Sequence, residues 1–454
     1  MKEKILNFFG NFKAKILLTK TTFREFLRDA DNKTISSVLL MGLGQLFNRQ
    51  FAKGIMYILL EVMFIAYFIL IGASNIFGLF TLGSVMADPW HGIEGDDSVT
   101  MMLLGILAVI AVILYIFIYV GNIKDAYNTQ KRIEIGQKPK TFKQDLSELA
   151  DKKFYKTVLF LPILGVSVFT VLPIIFMIII AFTNYGGDIV PPMLVDWVGF
   201  QNFEKILVLS QFAPTFMKIL GWNLVWAVAS TAINYFAGLG LALLLNKKCV
   251  KGKVFWRLFP ILAYAIPGFI TLIAFKFMFS GGGPINQMIV DAGGKSIGFL
   301  TKDATTASRI IGLFVNAWIS IPTSMLLATG ILSNMNNDLF EAARIDGASN
   351  FKQFTSITLP FVLFATTPVL ISQFIGNFNN FGIFYFLRGN LISDGYFLAS
   401  DTDLLINWLF NLSINNNFYS IGAAISLIIF IITSIISLAV YVMSPSYRQE
   451  GTYK

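Results

Sequence analysis

Two long apolar stretches of the sequence carry polar side chains near their middles. These residues are Asn316, Trp318, Ser320, Pro322 and Thr323 in the first stretch, and Ser372, Gln373, Asn377, Asn379 and Asn380 in the second. Amides and hydroxyls donate and accept hydrogen bonds without carrying a full charge, and an aromatic ring packs against the C–H face of a pyranose. The chemistry that they suit is binding of a neutral, hydroxyl-rich solute. The alternative is that the amides hydrogen-bond between helices and hold a bundle together.

A second group of residues lies between these two stretches, in the loop 334–360. The pattern predicts a short helix that Asn334 or Asn337 caps, with Glu341 in an early turn. A bend at Gly347 follows, and then a second short helix that stops at Pro360.

Small and apolar side chains in the same loop indicate a protein partner. Ala342 and Ala343 leave a surface that another protein can approach closely. Phe351 and Phe354 are apolar in a loop that lipid does not cover, and exposed apolar side chains of this kind mark interaction sites.

The other residue types that could perform chemistry are isolated. Cys249 is the only cysteine, so the chain can build neither an internal disulfide nor a cysteine metal cluster. His91 is the only histidine, and among scattered acids it is usually just solvated. The stretch 293–296, Gly-Gly-Lys-Ser, has Ile289 where a P-loop needs its first glycine. The sequence therefore predicts no metal site, no cofactor, no catalytic residue and no ATPase of its own.

The elements that hold these residues are membrane helices. The chain of 454 residues is 55% hydrophobic and only 13% charged, values typical of a membrane protein. Because hydrocarbon requires every backbone N–H to be bonded within its own segment, each long apolar run predicts a helix. The eight predicted spans are 54–73, 101–120, 157–183, 219–245, 258–279, 309–332, 361–386 and 420–443.

The distribution of Lys and Arg predicts the orientation. With a cytoplasmic N-terminus, 28 of the 35 basic residues fall in cytoplasmic segments, as the positive-inside rule requires. Both termini are therefore expected in the cytoplasm. The net charge of +9 does not indicate nucleic acid, because the basic residues form short blocks between apolar spans. Glu61 and Lys276 are the charges inside spans, and each is expected to pair or to snorkel toward the interface.

The chain divides by composition into five parts. Residues 1–53 are basic and either cytoplasmic or interfacial: 1–33 suit a surface helix or a partly ordered tail, and 35–53 suit a re-entrant or interfacial piece. A two-span module, 54–120, is followed by a basic cytoplasmic linker, 121–156. The predicted six-span core is 157–445, and 446–454 form a cytoplasmic tail.

The loop 334–360 resembles the EAA loop of the permeases of ABC importers. In that family a Glu-Ala-Ala, a Gly and an Ile-x-Leu-Pro recur at these spacings. The matching residues are Glu341, Ala342, Ala343, Asp346, Gly347, Ala348, Ile357, Leu359 and Pro360. The resemblance implies that this loop, termed the coupling loop, docks in a groove of a separate cytoplasmic ATPase. The alternative is an ordinary packed helical hairpin.

From about the third span to the C-terminus the sequence is also similar to the MalF-type permease subunit of maltose/maltodextrin importers. The runs 316–322 and 377–381 carry this likeness. It implies that a sugar is held midway through the membrane by Asn316, Ile319, Ser320, Thr323, Gln373, Gly376, Asn377 and Asn380. Thr323, Gln373 and Gly376 stand where the family has tyrosine, serine and phenylalanine, so two rings are lost. The outer loop 186–217 is short, as in Gram-positive members.

These resemblances imply an all-α polytopic protein with a six-helix, MetI-like permease core. Its expected function is import of maltose/maltodextrin-type oligosaccharides across the cytoplasmic membrane. The expected partners are an ABC ATPase dimer, a second, MalG-type permease subunit, an extracellular sugar-binding lipoprotein, the oligosaccharide and the lipid bilayer. The alternatives are another glycan or a polyol as cargo, an ion-coupled secondary transporter that uses Glu61 or Lys276, and a membrane scaffold.

Overall fold

A computed structural model describes residues 29–443 except 210, 248 and 390. The surface helix expected in 1–33 lies almost wholly outside the described residues, and the predicted tail 446–454 lies wholly outside them. Over the described residues the regular structure is helical, and extended pairing is limited to two isolated bridges, Asp88 with Ile93 and Thr183 with Trp197.

Among the described residues, apolar helices long enough to cross a membrane occur at seven of the eight predicted positions, and a bent pair of shorter apolar helices occurs at the other. Spans 1 to 4 are Phe51–Thr81, Ser98–Glu134, Phe154–Ile180 and Ala213–Asn246. Span 5 is the bent pair Lys253–Ala265 and Gly268–Met278, and spans 6 to 8 are Thr305–Ser333, Asn350–Arg388 and Tyr419–Met443. Shorter helices are Asn32–Leu39, Leu43–Phe47, Phe142–Ala150, Gln201–Val208, Pro284–Asp291, Asn337–Ile345 and Leu405–Phe410. The protein is thus an all-α polytopic membrane protein.

Span 5 is broken, which the apolar run 258–279 did not predict. Its two halves meet at an angle of 90° at Ile266 and Pro267. Proline has no backbone N–H and disfavours helical geometry in the residue before it. Ile266 accordingly has extended backbone angles, φ −80° and ψ 129°. The second half begins directly after Pro267, at Gly268.

By its contacts the chain divides into two compact units. The first contains the residues up to Ile179 and Ile189–Asp196, and the second contains Ile180–Asp188 and the residues from Trp197 onward. Span 3 is grouped almost entirely with the first unit within this single chain. The functional division into a two-span module, 54–120, and a six-span core, 157–445, stays a prediction.

In the first unit, the stretch 35–53 forms two short helices that pack against span 2. Asn122 of span 2 accepts a hydrogen bond from Gly42 N (3.1 Å) and donates one to Ser37 O (3.1 Å). Buried Glu61 accepts from Met41 N at 2.7 Å and from the Tyr115 hydroxyl at 3.4 Å. Of the two expectations for Glu61, pairing or snorkelling, the structure shows pairing: the carboxylate bonds a backbone N–H that no helix satisfies and a tyrosine hydroxyl.

In the second unit, span 4 packs against spans 6 and 7. One apolar cluster contains Trp226 of span 4 and Phe384 of span 7, with ring centroids 5.0 Å apart. Gly238 of span 4 lies against Ser324 of span 6 so closely that an added Cβ would be 2.5 Å from the Ser324 Cβ. Small residues allow this close approach of membrane helices. The packing fixes the positions of spans 6 and 7 relative to span 4.

Candidate functional site

A cavity of about 460 Å³ lies between spans 4, 5, 6 and 7. All eight residues expected to bind a sugar line it: Asn316, Ile319, Ser320, Thr323, Gln373, Gly376, Asn377 and Asn380. Eight further residues complete the lining: Asn234, Tyr264, Gly268, Phe269, Leu272, Gly382, Ile383 and Phe386. None of the sixteen carries a charge, so the cavity suits a neutral solute.

Helical spacing brings the predicted residues of span 6 to the cavity. Positions 316, 319, 320 and 323 lie three or four residues apart on one face of the continuous helix Thr305–Ser333. In span 7 the helix Leu359–Phe378 ends and a new helix, Phe381–Arg388, begins. Asn380 caps the new helix, because its Oδ1 accepts from Ile383 N at 3.3 Å. The break in span 7 therefore lies at the cavity wall.

Three of the amides form a chain of hydrogen bonds between spans. Asn380 Nδ2 donates to Asn316 Oδ1 at 3.1 Å, and Asn316 Nδ2 donates to Asn377 Oδ1 at 3.4 Å. Asn377 Nδ2 in turn donates to Thr231 Oγ1 of span 4 at 3.0 Å. These amides thus connect spans 4, 6 and 7, which is the structural role that the sequence had left open.

Two other amides keep an oxygen free. Gln373 Nε2 donates to Ser324 Oγ at 3.2 Å, but Gln373 Oε1 is buried and accepts no hydrogen bond from the described residues. The same holds for Oδ1 of Asn234, a residue only 3% exposed. Buried acceptors without a donor are costly, by about 1–3 kcal/mol each. Both oxygens are covered in this structure, so a ligand hydroxyl would satisfy them once the side chains turn toward the cavity.

Three aromatic residues that were not predicted from the sequence also line the cavity. Tyr264 and Phe269 stand on either side of the break in span 5, and Phe386 follows the break in span 7. The Phe269 and Phe386 rings are 6.3 Å apart, centroid to centroid. A signal was present in the sequence, since Tyr264 and Phe269 flank Pro267. The cavity therefore has aromatic rings in its wall although Thr323, Gln373 and Gly376 supply none.

Several polar residues of the same stretches lie outside the cavity. Trp318 is not part of the lining and packs against Phe275, with centroids 6.2 Å apart. Asn379 is exposed and donates to Ile375 O within its own helix. Ser372 is also exposed and absent from the lining. Pro322 is buried within the span 6 helix. Trp318, Pro322, Ser372 and Asn379, which the sequence placed among the polar residues of a candidate pathway, therefore do not line the cavity.

The coupling loop begins with the helix Asn337–Ile345. Asn336 caps it, accepting from Asp338 N at 2.9 Å, so the expected caps Asn334 and Asn337 were wrong. Glu341, Ala342 and Ala343 lie in its middle, and Gly347 ends the turn that follows Asp346 with φ +77°. That is the left-handed conformation for which glycine has no steric penalty.

The second half of the coupling loop continues into span 7. The expected stop at Pro360 was wrong: helix Asn350–Gln353, capped by Ser349, passes through a π-helical turn, Phe354–Thr358, into Leu359–Phe378. Pro360 is tolerated because it stands at the start of that last helix, next to the wider turn. Ile357 and Leu359 are half-buried there.

The surface of the coupling loop is apolar in part. Ile345 is 86% exposed and Phe351 is 76% exposed. Glu341, Ala342, Asp346 and Gly347 are exposed as well, and Ala343 is half-buried. Phe354 differs from the expectation, because it is half-buried and packs against the apolar cluster of spans 4, 6 and 7. The exposed apolar surface is therefore centred on Ile345 and Phe351.

Comparisons with known proteins agree with this architecture. Residues 234–449 match the family described as "Binding-protein-dependent transport system inner membrane component". The maltodextrin transport system permease protein MalC of Streptococcus pneumoniae is 34% identical over 422 residues, which are 91% of this chain and 95% of that protein. The galactooligosaccharides transport system permease protein GanP of Bacillus subtilis is 33% identical over 417 residues, 91% of this chain and 97% of that protein.

A solved structure shares the fold. A chain of a bacterial ABC transporter involved in the import of the acidic polysaccharide alginate superposes with a TM-score of 0.54 at 21% identity, covering 66% of this chain and 97% of that chain. The identity to MalC and GanP extends over nearly the whole length of each protein. This chain therefore belongs to the binding-protein-dependent transport system inner membrane components, the permease subunits of ABC importers.

Proposed function

We propose that this permease carries a maltodextrin-type oligosaccharide through the cavity between spans 4, 5, 6 and 7. The observation that supports this most is the convergence of the eight expected residues on one uncharged cavity. The free oxygens of Gln373 and Asn234 can accept hydrogen bonds from sugar hydroxyls, and the rings of Tyr264, Phe269 and Phe386 can pack on pyranose C–H faces. The similarity to MalC supports the same substrate class.

A galactosyl oligosaccharide is the second candidate. GanP is 33% identical to this chain, almost the same value as MalC at 34%. Both cargoes are neutral and rich in hydroxyls, so the uncharged lining suits either. An acidic polysaccharide suits it poorly, because no lining residue offers a positive charge to a carboxylate.

The coupling loop is the proposed contact with a separate ATPase dimer. Exposed Ile345 and Phe351 offer apolar anchors, and Ala342 leaves room for close approach. On this assignment the loop and both termini face the cytoplasm, in keeping with the distribution of basic residues. A second, MalG-type permease subunit completes the pathway, and a sugar-binding lipoprotein delivers the cargo outside, at the outer turn 281–284. Closure of the ATPase pair moves helix Asn337–Ile345 and opens the cavity alternately to each side.

An ion-coupled transporter finds less support. Glu61 bonds Met41 N, and Lys276 is exposed in the last turn of its helix. Neither lines the cavity. No chemistry on the solute is assigned to the chain, and ATP hydrolysis belongs to the partner subunit.

The test is uptake into proteoliposomes that contain this chain with its ATPase, second permease and binding protein. We expect ATP-dependent accumulation of labelled maltotriose that an uncoupler does not abolish. Labelled galactotriose, supplied in parallel, should accumulate at least about 10-fold more slowly. The reverse preference would assign the galactosyl cargo, and uptake that needs an ion gradient rather than ATP would refute the proposal.

A further inference from the structure

A separate cavity of about 480 Å³ lies in the first unit, where span 1 begins. Its charged lining residues are all basic: Arg49, Lys53, Lys138 and Lys140. It shares no lining residue with the solute cavity, so the identity of its ligand does not depend on the proposed cargo.

Two of the four basic residues carry charge that the protein does not compensate. Lys53 is held by Asp125 at 3.0 Å and by Asp145 at 2.5 Å, and Lys140 forms an ion pair with Glu148. Arg49 and Lys138 form no ion pair with any residue in the described part of the chain. The cavity therefore has about two positive charges available to a ligand.

A buried donor at the cavity wall also lacks an acceptor. Asn48 is 7% exposed, and its Nδ2 makes no hydrogen bond to the described residues. An N–H group buried in this way requires an acceptor from elsewhere. Thr141 also lines the cavity and caps the helix Phe142–Ala150, whose N-terminus carries partial positive charge, although Asp145 in its first turn offsets part of that charge. Cations, a free amide N–H and a helix N-terminus together select an oxyanion.

The position of the cavity indicates which oxyanion. Phe51 is the first residue of span 1 and lines the cavity, so the cavity opens at the membrane surface. Phe51 is 62% exposed, and neighbouring Phe47 and Phe142 are exposed as well. A soluble anion would leave these exposed aromatic rings in contact with water, whereas the acyl chains of a lipid would pack against them. We propose that this cavity binds the phosphodiester headgroup of an anionic phospholipid, with the acyl chains lying along the Phe51 side of span 1.

Native mass spectrometry of the purified complex, titrated with phosphatidylglycerol, tests the proposal. We expect one tightly bound phosphatidylglycerol per chain, and about 30-fold weaker binding in the double variant Arg49→Gln/Lys138→Gln. That factor corresponds to about 1 kcal/mol for each basic residue near an anionic surface. Lys152→Gln/Lys156→Gln is the matched control, because it removes two exposed basic residues of the same unit outside the cavity. It should change the affinity less than about 2-fold.

Two competition experiments distinguish a lipid headgroup from a soluble phosphate as the ligand. Phosphatidylcholine should not compete, and inorganic phosphate should not displace the lipid at equal concentration. Displacement by inorganic phosphate would show a site for a soluble anion instead. Equal loss of affinity in the control variant, or no loss in the cavity variant, would overturn the site. If the double variant does not assemble, exposed Lys138→Gln alone should still weaken binding about 5-fold.

Discussion

The amides of the solute cavity serve two purposes: some connect the spans, and others have an oxygen available for a ligand. Substitutions of single residues can therefore test each purpose separately. Asn316, Asn377 and Asn380 bond one another and connect the spans. Gln373 also bonds Ser324 of span 6, but Gln373 and Asn234 each keep an oxygen that accepts no hydrogen bond from the described residues. Removal of the first group is expected to loosen the bundle, and removal of the second to weaken binding. The second group therefore offers the cleaner test of a sugar site.

We predict that Gln373→Leu weakens sugar uptake through its KM. A hydrogen bond to a neutral group contributes about 0.5–1.5 kcal/mol, which corresponds to a KM about 2- to 10-fold higher. The measurement is the concentration dependence of maltotriose uptake in proteoliposomes. Asn379→Leu is the matched control, since Asn379 is exposed and outside the cavity. An equal rise in KM for both variants would show that Gln373 has no special role.

A second residue-scale prediction concerns Asp403 in the loop between spans 7 and 8. Burial raises the pKa of Asp403 to about 7, against the lowering effects of the hydrogen bond from Ser400 N and of the nearby Arg388 guanidinium. An unfolded Asp has a pKa of about 3.9. Between these two values the folded state keeps a proton that the unfolded state has lost. The free energy of unfolding must therefore fall as pH rises from about 4 to about 7, and this contribution is constant above that.

Thermal unfolding of the purified chain at pH 5 and pH 8 checks this. Asp403→Asn should raise the Tm at pH 8, by about 2–4 °C for each kcal/mol recovered, and should raise it less at pH 5, where only part of the loss has occurred. The exposed, ion-paired Asp394→Asn serves as the control. A Tm gain in Asp403→Asn that is the same at both pH values would contradict the assignment.

At the scale of elements, the coupling loop is a helix, a left-handed turn and a second helix that continues into span 7. Along the backbone, a displacement of helix Asn337–Ile345 therefore passes into span 7 through the turn at Gly347. Nothing lies within 4 Å of a Cβ added to Gly347, so a substitution acts through the backbone and not through a clash.

We predict that Gly347→Val uncouples ATP hydrolysis from uptake. A β-branched residue at φ +77° costs about 1–2 kcal/mol, which favours a different turn. Gly347→Asn is the matched control, because Asn adopts the left-handed region more readily. The ratio of sugar molecules transported to ATP molecules hydrolysed should drop severalfold in the Val variant and much less in the Asn variant. Unchanged ratios in both variants would exclude Gly347 as a coupling element.

The exposed apolar side chains of the same loop give an independent prediction. The double variant Ile345→Ser/Phe351→Ser should weaken binding of the ATPase at least about 30-fold, since even one central anchor contributes about 2 kcal/mol or more. Leu146→Ser, in the exposed helix Phe142–Ala150, removes a comparable apolar side chain outside the loop and should leave the complex intact. Undiminished ATPase binding in the double variant would place the docking surface elsewhere.

At the scale of the whole molecule, sequence reasoning located the spans because each apolar run must close its backbone hydrogen bonds internally. It also located Asn316 and Gln373, since amides are rare in apolar runs.

Sequence reasoning missed other residues that line the cavity. Asn234 was missed because it is a single amide in the middle of span 4. The rings of Tyr264 and Phe269 were missed because aromatic residues are common in lipid-facing helices. The 90° break that positions those rings lies at Pro267, but the apolar run 258–279 continues across it, so the run was predicted as one straight span. The choice among Asn334, Asn336 and Asn337 as cap depends on backbone geometry.

Filling the cavity tests the central claim most directly, because the claim is that solute passes through it. Ser320 lines the cavity on the same face of span 6 as Asn316, so Ser320→Trp places a large ring in it. Gly121→Trp in span 2 is the control, since an added Cβ there meets nothing within 4 Å and the residue lies outside the cavity. ATP-dependent maltotriose uptake by the complete complex in proteoliposomes is the measurement. We expect Ser320→Trp to reduce uptake at least about 10-fold while the ATPase stays bound and Gly121→Trp transports normally; normal uptake by Ser320→Trp would contradict the account.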